Sequence, residues 1–498
     1  MKNGYLCRQF LLSDQVQAPF DGWITCTTVS SFLHYHPELQ VSQLRSVDST
    51  LTLVGYLIDP DRPALADPAL LDELHRLLNN KDNLIRHAQR LAGRWILFAE
   101  TPAYSIALQD ACGLRRLFYS DRSCSSRFCA SEALTAAKAF ELEKDQLAEA
   151  GFEQTEFARK HPEYWWPGDA TQFKGVRSLL PNHYLDLKKR EAARFKLGDS
   201  IAELSLKDSA ERSAHYLSGL IRGASLRFEL ALAMTAGWDS RALLAGCRAV
   251  SVQPHCYTLR FGTMNSRSQD IAIPGKLLAK MRWTHHVIDC AQKPTTEFAS
   301  IYKSNVDPAH DEACQLAFGL WNVFPRKKVT LSGHCSEVAR NFYKMNPGTE
   351  ISATELANLA GMDHTKFVLD QFDQWLAGAR VACQSLGMTI LDLFYWEQRV
   401  GRWAANGQSQ WDLVHERFTP FNCRPLLFAL LAAPTRYRSA PDYRLYRKLI
   451  ENLSAQVLSV PINPETAAKL RRERSLVRKF FKSATRRFIS FGTAQPRV

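Results

Sequence analysis

Thr235, Gly237, Asp239 and Ser240 fall within one short break between two apolar runs, and together they carry the groups that grip a phosphate chain. Residues 230–234 (Leu-Ala-Leu-Ala-Met) read as a short buried strand, and residues 241–245 (Arg-Ala-Leu-Leu-Ala) as the start of a helix. A strand, a tight turn of small residues and a helix start leave backbone N–H groups unpaired at one point, with the helix dipole behind them. Such a turn binds anions. Gly237 lets the backbone approach a ligand, Thr235 and Ser240 add hydroxyls, and Asp239 offers a carboxylate to a hard cation. The expected occupant is a phosphate chain with magnesium; the plainer alternative is an ordinary strand–helix turn.

The elements around this turn follow a βαβ rhythm. A strand at 230–234 leads to a helix at 241–249, a strand at 254–261, a helix at about 268–281 and a strand at 283–288. A further strand is expected from Val329, turned by Ser332 and Gly333. This pattern predicts an α/β doubly wound parallel sheet, with ligands at the carboxyl ends of its strands. His285 and His286 do not read as a metal pair, because neighbours on a strand face opposite ways. Residues 350–460 read as helical.

The first 190 residues read differently. Short strands are expected at 51–57, as hairpins at 94–99 with 104–108 and at 117–119 with 127–130, and a helical face at 68–92. That is an α+β layered arrangement. Lys188, Lys189, Arg190 and Glu191 break the strand pattern and mark a junction near 190–210, followed by a helix at 209–227. The expected division is residues 1–195, residues 205–465 and a tail at 466–498.

Composition narrows the classes. The chain has 498 residues, 46% hydrophobic and 23% charged, which supports two or three globular domains. No apolar run is long enough to cross a bilayer and no signal segment is apparent, so a cytoplasmic protein is expected. The 12 cysteines are scattered, without metal-type spacing, and read as reduced thiols. The net charge of +13 gathers in the tail, at Arg471, Arg472, Arg474, Arg478, Lys479, Lys482, Arg486 and Arg487, among Phe480, Phe481, Phe488 and Phe491. Such a segment docks on an acidic membrane surface or an acidic protein partner, or stays a solvated tail.

Several of these stretches resemble one family. The turn is similar to the pyrophosphate loop of the asparagine synthetase-like ATP pyrophosphatases, Ser-Gly-Gly-x-Asp-Ser, with Thr235 for the serine, Ala236 for the first glycine, and Gly237, Asp239 and Ser240 in register. In the first half, residues 93–98, 110–119, 130–132 and 180–185 resemble, in order, the glutaminase domain of that family. The likeness covers roughly residues 50–460. It implies an Ntn-hydrolase-like layered sandwich followed by an adenine nucleotide alpha hydrolase-like sheet with a helical C-terminal part.

The resemblance also implies roles. ATP would contact Met234, Thr235, Ala236, Gly237, Trp238, Asp239 and Ser240, with adenine on Leu259 and further contacts from Ser332 and Gly333. Magnesium would sit on Asp239 and on Glu337, which falls on a family aspartate. His334 replaces a family glutamate used in amidation; a histidine there offers a base near neutral pH, or only lines the pocket. Glu416, with Pro420 and Phe421, matches a Glu-x-Arg-x-Pro-Phe segment and would hold or activate the acceptor, or else only form a helix-end ion pair, although Phe418 stands at the arginine position and Arg417 one place before it. Lys469 would reach the pyrophosphate from a mobile tail.

The family's N-terminal cysteine nucleophile is missing, because position 2 is Lys2; Cys7 could serve only after removal of six residues. The expectation is therefore an ATP-dependent amide ligase without glutamine hydrolysis. It would adenylate a small-molecule or peptide carboxylate and pass it to ammonia or to an amine of the substrate. Relatives of this kind close β-lactams, cyclise lasso peptides or amidate sugar acids. Two rivals stand beside it. One is a catalytically inactive scaffold, since Ala236 adds a methyl and Trp238 is bulky. The other is nucleic-acid modification, which the glutaminase-like first half and the absence of a recognisable RNA module disfavour; no specific nucleic acid is expected. The oligomeric state stays open.

Overall fold

The computed structural model describes residues 5–464, except 17, 197, 199, 326 and 346–348. Lys469 and the basic tail lie outside the described residues.

Two six-stranded antiparallel sheets form the first part. One has the order Val176–Ser178, Phe118–Ser120, Phe128–Ala130, Phe10–Ser13, Phe32–Tyr35, Ile24–Thr27; the other runs Glu191–Arg194, His183–Asp186, Ser105–Gln109, Ala92–Glu100, Thr50–Ile58, Val41–Arg45. Phe10, Leu12, Leu33, Val54, Ile96 and Phe98 pack together in one buried cluster contributed by both sheets. Thr50–Ile58 and Ala92–Glu100 are buried along their whole length. Both faces are covered, so these strands read as continuous apolar runs. At their crossing Gly55 and Gly93 adopt positive φ, and a Cβ on Gly93 would stand 2.1 Å from the Tyr56 carbonyl oxygen. No other residue lets the two backbones come that close.

Two expectations change here. The helical face at 68–92 is two helices, Asp67–His75 and Lys81–Ala88, with Asn80 capping the second through Asn83 N–H. The charges at 188–191 do not end the layer. Arg190, at φ 56°, turns a hairpin, and Glu191–Arg194 pairs back onto His183–Asp186.

The second part holds a five-stranded, all-parallel sheet in the order His286–Asp289, His255–Arg260, Glu229–Ala233, Lys328–Leu331, Arg417–Phe418. Helices Trp238–Ala249 and Gln269–Lys280 make its first crossovers. From Glu229–Ala233 the chain builds outward one way through two strands, then returns to the other side at Lys328–Leu331. That reversal opens a crevice at the carboxyl ends of the two adjacent strands. The outer strand begins at His286 rather than 283. Arg417–Phe418, inside the stretch expected to be helical, is a strand. The rest of that stretch is helical and includes a π-helix, Tyr395–Ala404. Tyr56 of the layered part packs on Phe228 and Phe418, so the two parts share one core. Among the described residues no helix is long and apolar enough to cross a membrane.

Candidate functional site

The turn at 234–240 sits where the crevice opens. Met234 is fixed to its neighbour strand: its N–H donates to the Tyr257 carbonyl at 2.7 Å and its carbonyl accepts from Thr258 Oγ1 at 2.8 Å. Gly237 caps the helix and Trp238 begins it. The nest is less open than expected. Thr235 N–H donates to Ser240 Oγ at 3.2 Å, Gly237 N–H to Thr235 Oγ1 at 3.2 Å, and Ala236 N–H to the Asp270 carboxylate at 2.8 Å. The N–H groups of Trp238 and Asp239 open the helix and have no acceptor within it. The Trp238 ring, 6% exposed, is buried in the core against Tyr443, and the Ala236 methyl is buried with it.

Asp239 and Glu337 meet, and what joins them is an arginine. Arg340 Nη2 stands 2.8 Å from Asp239 Oδ2 and 2.7 Å from Glu337 Oε1. Ser336 Oγ donates to the other Asp239 oxygen, and Tyr395 OH donates to Glu337 Oε2 at 2.6 Å. The rings of Tyr443 and Tyr446 flank the guanidinium at 5.6 and 5.7 Å. Burial holds the Asp239 carboxyl above its ordinary range, and Arg340 offsets only part of that rise. Burial acts against the Arg340 charge, yet the two carboxylates raise its pKa overall. Gly333 is what lets the facing loops meet, because a Cβ there would lie 2.4 Å from Asp239 Cβ.

The expected magnesium carboxylates already have partners here. Both carboxylates are engaged by Arg340, Ser336 and Tyr395, and among the described residues no group of three or more metal-type ligands exists. The pair does not fit a magnesium ion while the guanidinium stays between them. Arg340 stood outside every motif in the sequence, so only its position in space reveals it.

His334 is placed beside this cluster but not as a base. Its Nδ1 is 2.9 Å from Gln408 Nε2, and its ring lies 6.2 Å from Trp403. Burial, helped by Arg417, lowers its pKa to about 3. Of the two roles expected for it, a base near neutral pH or only a lining of the pocket, the geometry favours the second: the imidazole is neutral there but too weakly basic to compete for a proton. Ser332 is buried, and its N–H donates to the Phe418 carbonyl at 2.9 Å. Leu259 lies half-buried at the end of its strand, beside Ile288.

Glu416 is drawn away from the crevice. Arg115 Nη2 holds it at 3.1 Å, Arg94 Nη1 at 3.1 Å, and Arg8 Nε lies 3.9 Å away. Against the cost of burial these cations lower its pKa to about 2. The acceptor role expected of Glu416 gives way to a permanent ion cluster that ties the layered part to the sheet. Asp412 completes it, 2.5 Å from Arg94. Arg417, one residue on, faces the opposite side of the strand. Its Nη2 is 3.4 Å from Ser332 Oγ, and its Nε and Nη1 are buried with no hydrogen-bond partner. No period in the sequence marks it, because its strand is two residues long and exists only through pairing with Lys328–Leu331.

One more feature lines this end of the sheet. Tyr395, Arg399 and Trp403 recur every four residues in the π-helix, and Arg399 stacks 4.0 Å over Trp403. Next to Arg8, on the side of the ion cluster, Cys7 is buried. Its N–H donates to Asn305 Oδ1 at 2.7 Å, and burial raises its thiol pKa to about 12. That thiol is protonated and unreactive at neutral pH.

No family model and no curated protein matches the chain. Among solved structures, one similar chain is described as the allosteric regulatory enzyme of purine biosynthesis (TM-score 0.24, 12% identity, 45% of this chain and 60% of that one). The present chain thus spans less than two thirds of that protein. Another is glutamine phosphoribosylpyrophosphate amidotransferase from B. subtilis, complexed with ADP and GMP (TM-score 0.23, 9% identity, 74% of this chain and 88% of that one). Superpositions this loose leave the site to be read from its own geometry.

Proposed function

We propose that this chain is an ATP-dependent amide-forming ligase that works without glutamine hydrolysis. One observation carries the reading. Asp239 and Glu337, from loops at the ends of adjacent parallel strands, converge on a single cation, Arg340, beside a helix start. In this reading the polyphosphate lies on the Trp238 and Asp239 N–H groups and the Thr235 and Ser240 hydroxyls, with adenine on Leu259. A carboxylate oxygen of the substrate attacks the α-phosphorus, the α–β bridge breaks and pyrophosphate leaves. Arg340 supplies positive charge as negative charge grows on the leaving group. An uncharged amine then attacks the acyl carbon, AMP departs, and the amine gives up its proton to water or to the departing phosphate, since His334 is too weak a base.

A second reading has its own observation. Asp270 holds the Ala236 N–H that a phosphate would need, which favours a scaffold that binds no nucleotide. Release of pyrophosphate and AMP from ATP, in the presence of candidate carboxylic acids, decides between them. The ligase reading expects release that falls on the order of 10²-fold in Asp239→Ala. Release unchanged in that variant, or no ATP binding by calorimetry, would remove it.

A further inference from the structure

Away from the strand-end crevice, a cavity of about 1130 Å³ opens between helix Lys81–Ala88 of the layered part and helices Leu206–Ser225 and Arg424–Leu431. Its volume matches a small-molecule site. Among the described residues seven lysine or arginine side chains line it, against one carboxylate, Asp82. Arg424 is the informative one. It is 3% exposed, its Nε is buried without a partner, and its hydrogen bonds go to neutral acceptors, Asn182 Oδ1 at 2.9 Å and the Gln89 carbonyl at 3.4 Å. Burial drags its pKa down to about 10. Arg194, on the same wall, pairs with the fully buried Glu397 and also leaves its Nε unpartnered. Glu397 is further engaged by Asn182 at 2.9 Å and Trp375 at 2.8 Å, and Arg424 reaches it only through the Asn182 amide, so one carboxylate answers for two guanidiniums and touches only Arg194. A buried charge in deficit of counter-charge is costly unless an anion completes it.

The remaining wall is aromatic. Tyr184, Phe195, Tyr216 and Phe428 line the same space, and Arg424 lies 5.3 Å from the Phe195 centroid. Guanidinium forks match phosphate oxygens, and flat aromatic walls match a planar base. We propose that this cavity is a second ligand site, for a nucleoside phosphate, with its phosphates on Arg194 and Arg424 and its base on the aromatic wall. Arg86 and Arg212 stand exposed at the rim and add attraction without belonging to the core.

Calorimetric titration of the full-length Asp239→Ala protein with ADP tests this site apart from the crevice. ADP is expected to bind that variant, and the further double change Arg86→Glu with Arg212→Glu to weaken it at least about tenfold without moving the melting temperature. Inorganic tripolyphosphate is expected to bind more weakly than ADP. Binding that is absent from Asp239→Ala, or indifferent to the two charge reversals, overturns the site. Tripolyphosphate binding as tight as ADP overturns the nucleoside assignment. The ligase reading fails on different evidence, namely pyrophosphate release that ignores Asp239.

Discussion

Arg340 donates to Asp239 at 2.8 Å from within a buried cage of two tyrosine rings. The same nitrogen reaches Glu337, so a side chain takes the place in which a divalent cation would bridge the two acids. The consequence is a cluster whose bridging cation comes with the fold and does not have to be bound from solution. Removal of the guanidinium leaves two carboxylates facing each other with little water between them. We expect Arg340→Met to lose about 3 kcal/mol of stability and to recover part of it on addition of magnesium. The wild-type melting temperature should not respond to magnesium alone. A wild-type protein stabilised by magnesium, with Arg340→Met unresponsive, would contradict this view of the cation.

Glu416 offers a separation of stability from chemistry. Its partners Arg94 and Arg115 are each 3% exposed at the side chain, so Glu416→Ala leaves two buried cations to share the single carboxylate of Asp412. The expected loss is about 3–5 kcal/mol in denaturant unfolding, with pyrophosphate release per folded molecule unchanged. The pH dependence follows from the sign of its shift. The folded carboxyl titrates at about 2, below its unfolded value of about 4.3. Its contribution is therefore complete above about pH 4.3 and is lost as pH falls towards 2. Glu416→Gln should flatten the stability curve in that acid window. A large drop in turnover with stability intact would return Glu416 to the acceptor.

His334 works in a different window. Its folded pKa of about 3 lies below the unfolded value of about 6.5. Between those values the unfolded chain binds a proton that the folded one refuses, so stability falls as pH drops from about 6.5. A neutral isostere, His334→Gln, should remove this slope. It should also leave the pH profile of pyrophosphate release without a lost inflection near neutrality. A neutral-pH inflection that disappears in His334→Gln would show the imidazole to be the working base.

Gly333 has no room for a methyl. An added Cβ meets Asp239 Cβ at 2.4 Å, and neither atom belongs to a flexible side-chain end. Gly333→Ala should push the two loops apart, cost about 1–3 kcal/mol, and lower pyrophosphate release more than an alanine at the neighbouring buried Ser332. Equal effects of the two changes would mean that loop separation does not matter to the chemistry.

Local signals made much of this protein legible from its residues alone. The runs at 51–57 and 94–99 are mostly apolar, broken only by Thr52 and Arg94, and they became the doubly buried strands Thr50–Ile58 and Ala92–Glu100. The small-residue turn after Met234 is likewise a local feature, and it lies at the strand end where the βαβ rhythm put it. Period and turn chemistry depend on neighbours in sequence, so they can be read in order along the chain. The two-residue strand Arg417–Phe418 cannot, because it is too short to show any period and exists only through its pairing with Lys328–Leu331. Its alternation sends Glu416 to the arginines of the layered part and Arg417 towards Ser332, which separates two adjacent residues into different roles. The sequence by itself determined which loops carry acids and hydroxyls. Tertiary packing alone decided that Arg340 stands between Asp239 and Glu337 and that His334 is stripped of basicity, because desolvation and charge proximity arise only when distant segments are brought together.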